Sequence, residues 1–141
     1  SPSQQTNMKL LSFILLSAIF CFSVTAEYTP LKGYDKITSK EEIASLDYII
    51  QSGATAALDL AIVDEVIPED QAERYEIGRV NYVSKQYRDA DEVTSYFVDV
   101  RLVDLEDENV KAKLGFVIDR KDRNGRLKLR AYNIKFAENR I

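Results

Sequence analysis

Between Ser39 and Glu65 the apolar residues Ile43, Leu46, Ile50, Ala54, Ala57 and Ala61 recur at steps of three and four. That spacing gathers side chains on one face of a helix, so one long amphipathic helix is expected over 39–65. Ser39 suits the N-cap, and Glu42, three residues on, is spaced to reach back and close a capping box. Glu41 and Glu42 also suit the positive helix N-terminus. Gly53, Ala54, Ala56, Ala57 and Ala61 keep the second half of the stripe low, so that a sheet can approach closely, and Pro68 forbids continuation past Val66-Ile67.

After Pro68 the period changes from three-and-four to two, the mark of half-buried strands. From Arg74 the aromatic and β-branched residues change phase beside Gly78, which predicts a β-bulge there. Arg88 to Thr94 reads as a charged hairpin loop. Tyr96, Val98, Val100 and Leu102 then alternate with Phe97, Asp99, Arg101 and Val103, and Asp104 to Asn109 forms an acidic turn. Val110, Ala112, Leu114, Phe116 and Ile118 make a third alternating run. Asn124-Gly125 is a hairpin signal, and the last strand, 126–136, changes phase near Ala131, which predicts either a second bulge or a tight turn longer than two residues. The trunk 27–37 is expected as a short first strand or an arm. The expected class is α+β, one long N-terminal helix packed on a four- to five-stranded antiparallel sheet.

Upstream, Lys9, the apolar run Leu10–Phe22 and the small-residue ending Val24-Thr25-Ala26 predict a signal peptide over 8–26, cleaved before Glu27. Residues 1–7 read as a leader extension or cloning remnant and 27–141 as one domain. The chain is thus expected to be secreted, extracellular or in the secretory-pathway lumen. Its single cysteine, Cys21, lies in the leader, so a disulfide-free mature protein is expected.

The sequence contains no histidine, which excludes the nucleophile arrangements that use one. No enzyme is expected, and no cofactor or metal is assigned. Asp104, Glu106, Asp107 and Glu108 lack the residue order of a dedicated calcium loop. The eight tyrosines are scattered, so no stacking platform for nucleic acid is indicated, and no membrane role is expected once the leader is removed. Charge is uneven: from 27 to 108 there are 8 Lys and Arg against 20 Asp and Glu, a net of −12, and from 109 to 141 there are 10 against 3, a net of +7. Such asymmetry is either satisfied within the fold or offered to a charged partner, a second copy included. Lys111, Lys113, Lys121, Arg123, Arg126, Lys128 and Arg130 form either a basic patch for a polyanion or a set of edge-strand gatekeepers.

Leu31-Lys32-Gly33-Tyr34, the Ser-Lys-Glu-Glu-Ile helix start at Ser39, and Tyr96-Phe97-Val98-Asp99-Val100 with Leu102 resemble, in that order, the N-terminal glycine region, the helix start and the strand after the first inhibitory loop of the cystatins. These are inhibitors of papain-type cysteine proteases, and the resemblance spans nearly all of 27–141. It implies a wedge of three segments that enters a protease cleft. The trunk segment falls on Gly33 and Tyr34. The first-loop positions, Gln-Val-Val-Ala-Gly in the family, fall on Asp89, Ala90, Asp91, Glu92 and Val93, and the second loop, Pro-Trp in the family, falls at 120–125, including Asn124 and Gly125. The resemblance implies a non-catalytic protein that binds another protein, with papain-family proteases the partner class. The alternative on the same scaffold is a self-assembling or structural extracellular protein without protease inhibition. Three carboxylates in the first loop disfavour entry into a neutral, apolar cleft, so papain itself is expected to bind weakly.

Overall fold

A computed structural model of the chain describes residues 32–137. The leader extension 1–7, the signal peptide 8–26 and the trunk residues 27–31 lie outside the described residues. The chain runs β1 (Asp35–Lys36), α1 (Lys40–Ser45), α2 (Asp47–Val63), a short 3-10 turn (Glu69–Gln71), then β2 (Tyr75–Arg88), β3 (Val93–Asp104), β4 (Lys111–Lys121) and β5 (Leu127–Ala137). The five strands form one antiparallel sheet in the order β1-β2-β3-β4-β5, and α2 lies over β4 and β5. The class is α+β, with a helix packed on one face of the sheet.

The helix expected as one piece over 39–65 is divided at Leu46, whose φ and ψ are −95° and 7°. The Ser45 hydroxyl donates to the Glu42 carbonyl at 2.6 Å, the oxygen that the Leu46 N–H would reach in a continuous helix. The Leu46 N–H turns instead to the Ile43 carbonyl at 3.0 Å, a tighter turn, and the α pattern resumes with Ile50 donating to Leu46 at 2.9 Å. A serine bonding back to its own helix competes with the backbone in this way. At the start Ser39 caps the Glu42 N–H at 3.1 Å, but the reciprocal half of the capping box is missing. The Glu42 carboxylate binds Lys85 on β2 at 2.6 Å instead, and this hydrogen bond raises the lysine pKa above its ordinary value.

The helix ends at Val63, earlier than Pro68 requires. Glu65 takes a left-handed φ of 62°, and the Val66 and Ile67 N–H groups both return to the Ala61 carbonyl, closing off an otherwise unpaired acceptor. Ile67, fully buried, secures this reversal by packing inward. The buried face of α2 is Ile49, Ile50, Gly53, Ala54, Ala57 and Ala61. It meets Val98, Val100 and Leu102 of β3 and Leu114, Phe116 and Ile118 of β4, all buried, with each large buried side chain contributing about 1.5–3 kcal/mol by leaving water. At Gly53 a Cβ would stand 2.3 Å from the Phe116 ring, so the glycine is what allows helix and sheet to touch.

Both phase changes are bulges. The β2–β3 register shifts between Ile77 and Val80 and again between Val80 and Tyr82, so the strand has two irregularities, and Tyr82 points away from the helix. On β5, Val117 pairs with Ala131 and Ile118 with Leu129, leaving Arg130 as the extra residue. The face of the sheet opposite the helix carries a smaller apolar cluster of Tyr82, Phe97, Val117 and Ala131, against which Tyr34 packs.

Candidate functional site

In an antiparallel meander the β2–β3 and β4–β5 hairpins lie at the same end of the sheet, and here they are bonded to each other. The Asp122 N–H donates to the Glu92 carbonyl at 2.9 Å, and the Thr94 hydroxyl donates to Asp122 at 2.9 Å. The trunk reaches the same end because β1 pairs Asp35 with Lys85 and Lys36 with Ser84, which places Tyr34 and Gly33 toward the close of β2. Gly33 has φ 84°, a left-handed turn that glycine takes without strain, and its Cβ position falls 2.6 Å from the Gln86 amide nitrogen. Three segments far apart in sequence thus share one edge.

Arg130 anchors the trunk there. As the bulged residue of β5 its side chain is re-aimed onto the face away from the helix. Its guanidinium lies 3.1 Å from Asp119 and donates to the Ser95 hydroxyl at 3.3 Å and to the Tyr34 hydroxyl at 3.1 Å. Ser95 in turn donates to Asp119, and Arg88 reaches the same carboxylate at 3.4 Å. Residues of β2, β3, β4, β5 and the trunk are joined through Asp119, whose side chain is only 13% exposed. A charge-assisted network of this kind holds geometry better than isolated surface pairs do.

The first loop is a turn closed by the Glu92 N–H donating to the Asp89 carbonyl at 3.2 Å, with Glu92 left-handed at φ 53°. Asp89, Ala90, Asp91 and Glu92 are exposed, whereas Val93 is 6% exposed. Val93 is therefore the first buried residue of β3, with no side-chain surface to offer a partner. Asp89 accepts a hydrogen bond from Tyr87 at 3.3 Å, and Asp91 lies 3.8 Å from Arg88. Desolvation, reinforced by Asp89, raises the Tyr87 pKa above its ordinary value. In the second loop the Asn124 side chain accepts from the Arg126 N–H at 3.0 Å, and Gly125 has φ 73° with open space around its Cβ position; conformation rather than crowding demands glycine there.

Of the residues expected to bind a partner, Gly33, Asp89, Ala90, Asp91, Glu92, Asn124 and Gly125 stand exposed together at this edge. Tyr34 is half-buried on the anchoring network, and Val93 lies below it. Of the residues that position the edge, Asp119, Ser95 and Asp122 carried no signal in the sequence, and Arg130 was legible only as one of the basic residues of the last hairpin, next to the phase change near Ala131. Among the described residues no group of acidic or sulfur side chains is placed to hold a metal, and no helix is long and apolar enough to cross a membrane. No family model, curated protein or solved structure compared with the chain matches it.

Proposed function

We propose that this chain is a secreted, non-catalytic protein whose cystatin-like domain binds a protein partner through the edge formed by Gly33, Asp89–Glu92 and Asn124–Gly125. Papain-family cysteine proteases are the partner class. The observation that carries this reading is the convergence of the trunk and both hairpins, with the Asp122 N–H on the Glu92 carbonyl and Tyr34 on Arg130. A presented edge with a rigid support is what a cleft-filling binder needs. The first loop sets the specificity: Asp89, Asp91 and Glu92 lose hydration on entering a cleft, and only a cleft lined by Lys or Arg returns that energy.

Titrating a panel of papain-type proteases that differ in cleft charge tests this. Inhibition is expected for basic clefts and weak or no inhibition for papain. Replacing 89–93 by Gln-Val-Val-Ala-Gly is expected to shift the preference to papain. Tight papain inhibition by the unaltered chain, or indifference of every protease to both forms, would overturn the proposal. The mass of the secreted product tests export, with Glu27 expected as its first residue.

A further inference from the structure

Lys111 and Lys113 read in the sequence as part of either a polyanion patch or a set of edge-strand gatekeepers, and topology decides against the second. β4 lies between β3 and β5, so neither lysine guards an edge. By register Lys113 is paired with Arg101 on β3 and with Lys135 on β5. Leu102, Leu114 and Ile134, each next to one of these cations in sequence, belong to the core under the helix. Strand alternation therefore puts Arg101, Lys113 and Lys135 together on the face away from the helix, all half-buried. Arg79, exposed, stands in the β2 bulge opposite Arg101, so a row of four cations crosses β2, β3, β4 and β5. Like charges directly opposite one another destabilise a sheet, and the carboxylates nearby do not cancel them. Asp99, in the next row, is buried and accepts from Asn81 at 2.9 Å. Glu76 is exposed one row away, opposite Val103, and Lys111 stands between the row and the acidic turn 104–109. Among the described residues no carboxylate lies within ion-pair distance of Arg79, Arg101 or Lys135.

We propose that this row binds a sulfated polysaccharide, whose repeating anions relieve the mutual repulsion of Arg101, Lys113 and Lys135. Neighbouring strands set these cations about 5 Å apart, close enough for one strip of the face to meet successive anions of an extended chain. The whole protein carries a net charge of −4, so the attraction belongs to this face and not to the molecule at large. Its other features favour a saccharide over the remaining polyanions. Bases need exposed rings to stack on, and here Tyr82 and Phe97 are buried with Tyr34 packed against them. A bilayer rewards apolar side chains that insert, and the exposed large ones, Tyr87 and Phe136 among them, lie on the helices, in the turns or on the helix side of the sheet. Asn133, half-buried beside the row and paired with Gly115, offers the hydrogen bonds that sugar hydroxyls use.

Calorimetric titration of the full chain with heparin fragments of defined length, at low and at physiological salt, tests this. Binding that weakens as salt rises is expected. Arg101→Gln and Lys135→Gln should each weaken it about threefold and together about tenfold, whereas Lys40→Gln, at the start of α1, should leave it unchanged. Urea unfolding supplies a second reading: the Arg101 and Lys135 variants should unfold at a higher midpoint, because each removes repulsion from the row. A merely structural role would lower that midpoint. These residues lie outside the edge proposed to meet a protease, so protease titrations should not respond to them. No binding at low salt, an equal loss with Lys40→Gln, or a lowered midpoint in both variants would overturn the proposal. So would tighter binding to a dT oligonucleotide or to phosphatidylserine vesicles than to heparin.

Discussion

Gly53→Ala tests whether α2 rests on the Phe116 ring. In an exposed helix this change stabilises by about 1 kcal/mol, since alanine is the better helix former and the unfolded chain loses freedom. Here the added carbon would stand 2.3, 2.9 and 3.0 Å from three ring atoms of Phe116, where ordinary contacts begin near 3.4 Å. Phe116 is fully buried, so either its ring is displaced within the core or helix and sheet separate. Overpacking of this kind costs about 1–3 kcal/mol; with the propensity gain subtracted, a net loss of about 1–2 kcal/mol is expected. Urea unfolding of both forms reads this as a lower midpoint at unchanged slope. Phe116→Leu in the Gly53→Ala background should cost clearly less than Phe116→Leu alone, because the smaller side chain relieves the clash it otherwise leaves as a cavity. A Gly53→Ala variant more stable than the parent, or purely additive effects, would refute the packing argument.

Asp104 accepts from Arg74 at 2.8 Å and from the Glu106 and Asp107 N–H groups, and the Arg74 hydrogen bond holds its pKa below the usual carboxylate value. A depressed pKa gives stability that is present above about pH 4 and lost as pH falls through the folded value. The stability difference between the parent and Asp104→Asn, measured by denaturation at pH 7 and pH 2, should therefore narrow in acid. Tyr132 donates to Asp64 at 2.6 Å, and burial together with that carboxylate raises its pKa well above the usual tyrosine range. The folded state then holds a proton the unfolded chain gives up above about pH 10, so stability falls as pH rises through that region. Melting curves of Tyr132→Phe should lack this component. Glu92→Gly removes a left-handed non-glycine residue at φ 53° and should raise stability by about 0.5 kcal/mol in urea unfolding, whereas glycine in a regular strand or helix does the reverse.

Periodicity determined the helix-then-strands order, the places where the strands change phase and the α+β class, because burial of one face imposes a repeat that survives without knowledge of the partner surface, and charge runs with the Asn-Gly pair marked the three hairpin or turn positions. The low Gly-Ala face was also legible as a place of close approach, although Phe116 as its contact was not. Tertiary structure decided where local signals have several outlets. Ser45 could point to solvent or bond back to Glu42, and its choice divides the helix at Leu46. Glu42 could cap its own helix or pair across space, and Lys85 offers the stronger, charged partner. Val93 reads as a loop residue in a charged stretch, yet pairing with Lys121 draws it into the sheet. The anchoring of the trunk depends on Arg130, Asp119, Ser95 and Tyr34, separated by up to 96 positions. No one-dimensional pattern joins them, because their contact exists only after four strands have registered and one bulge has turned an arginine across them.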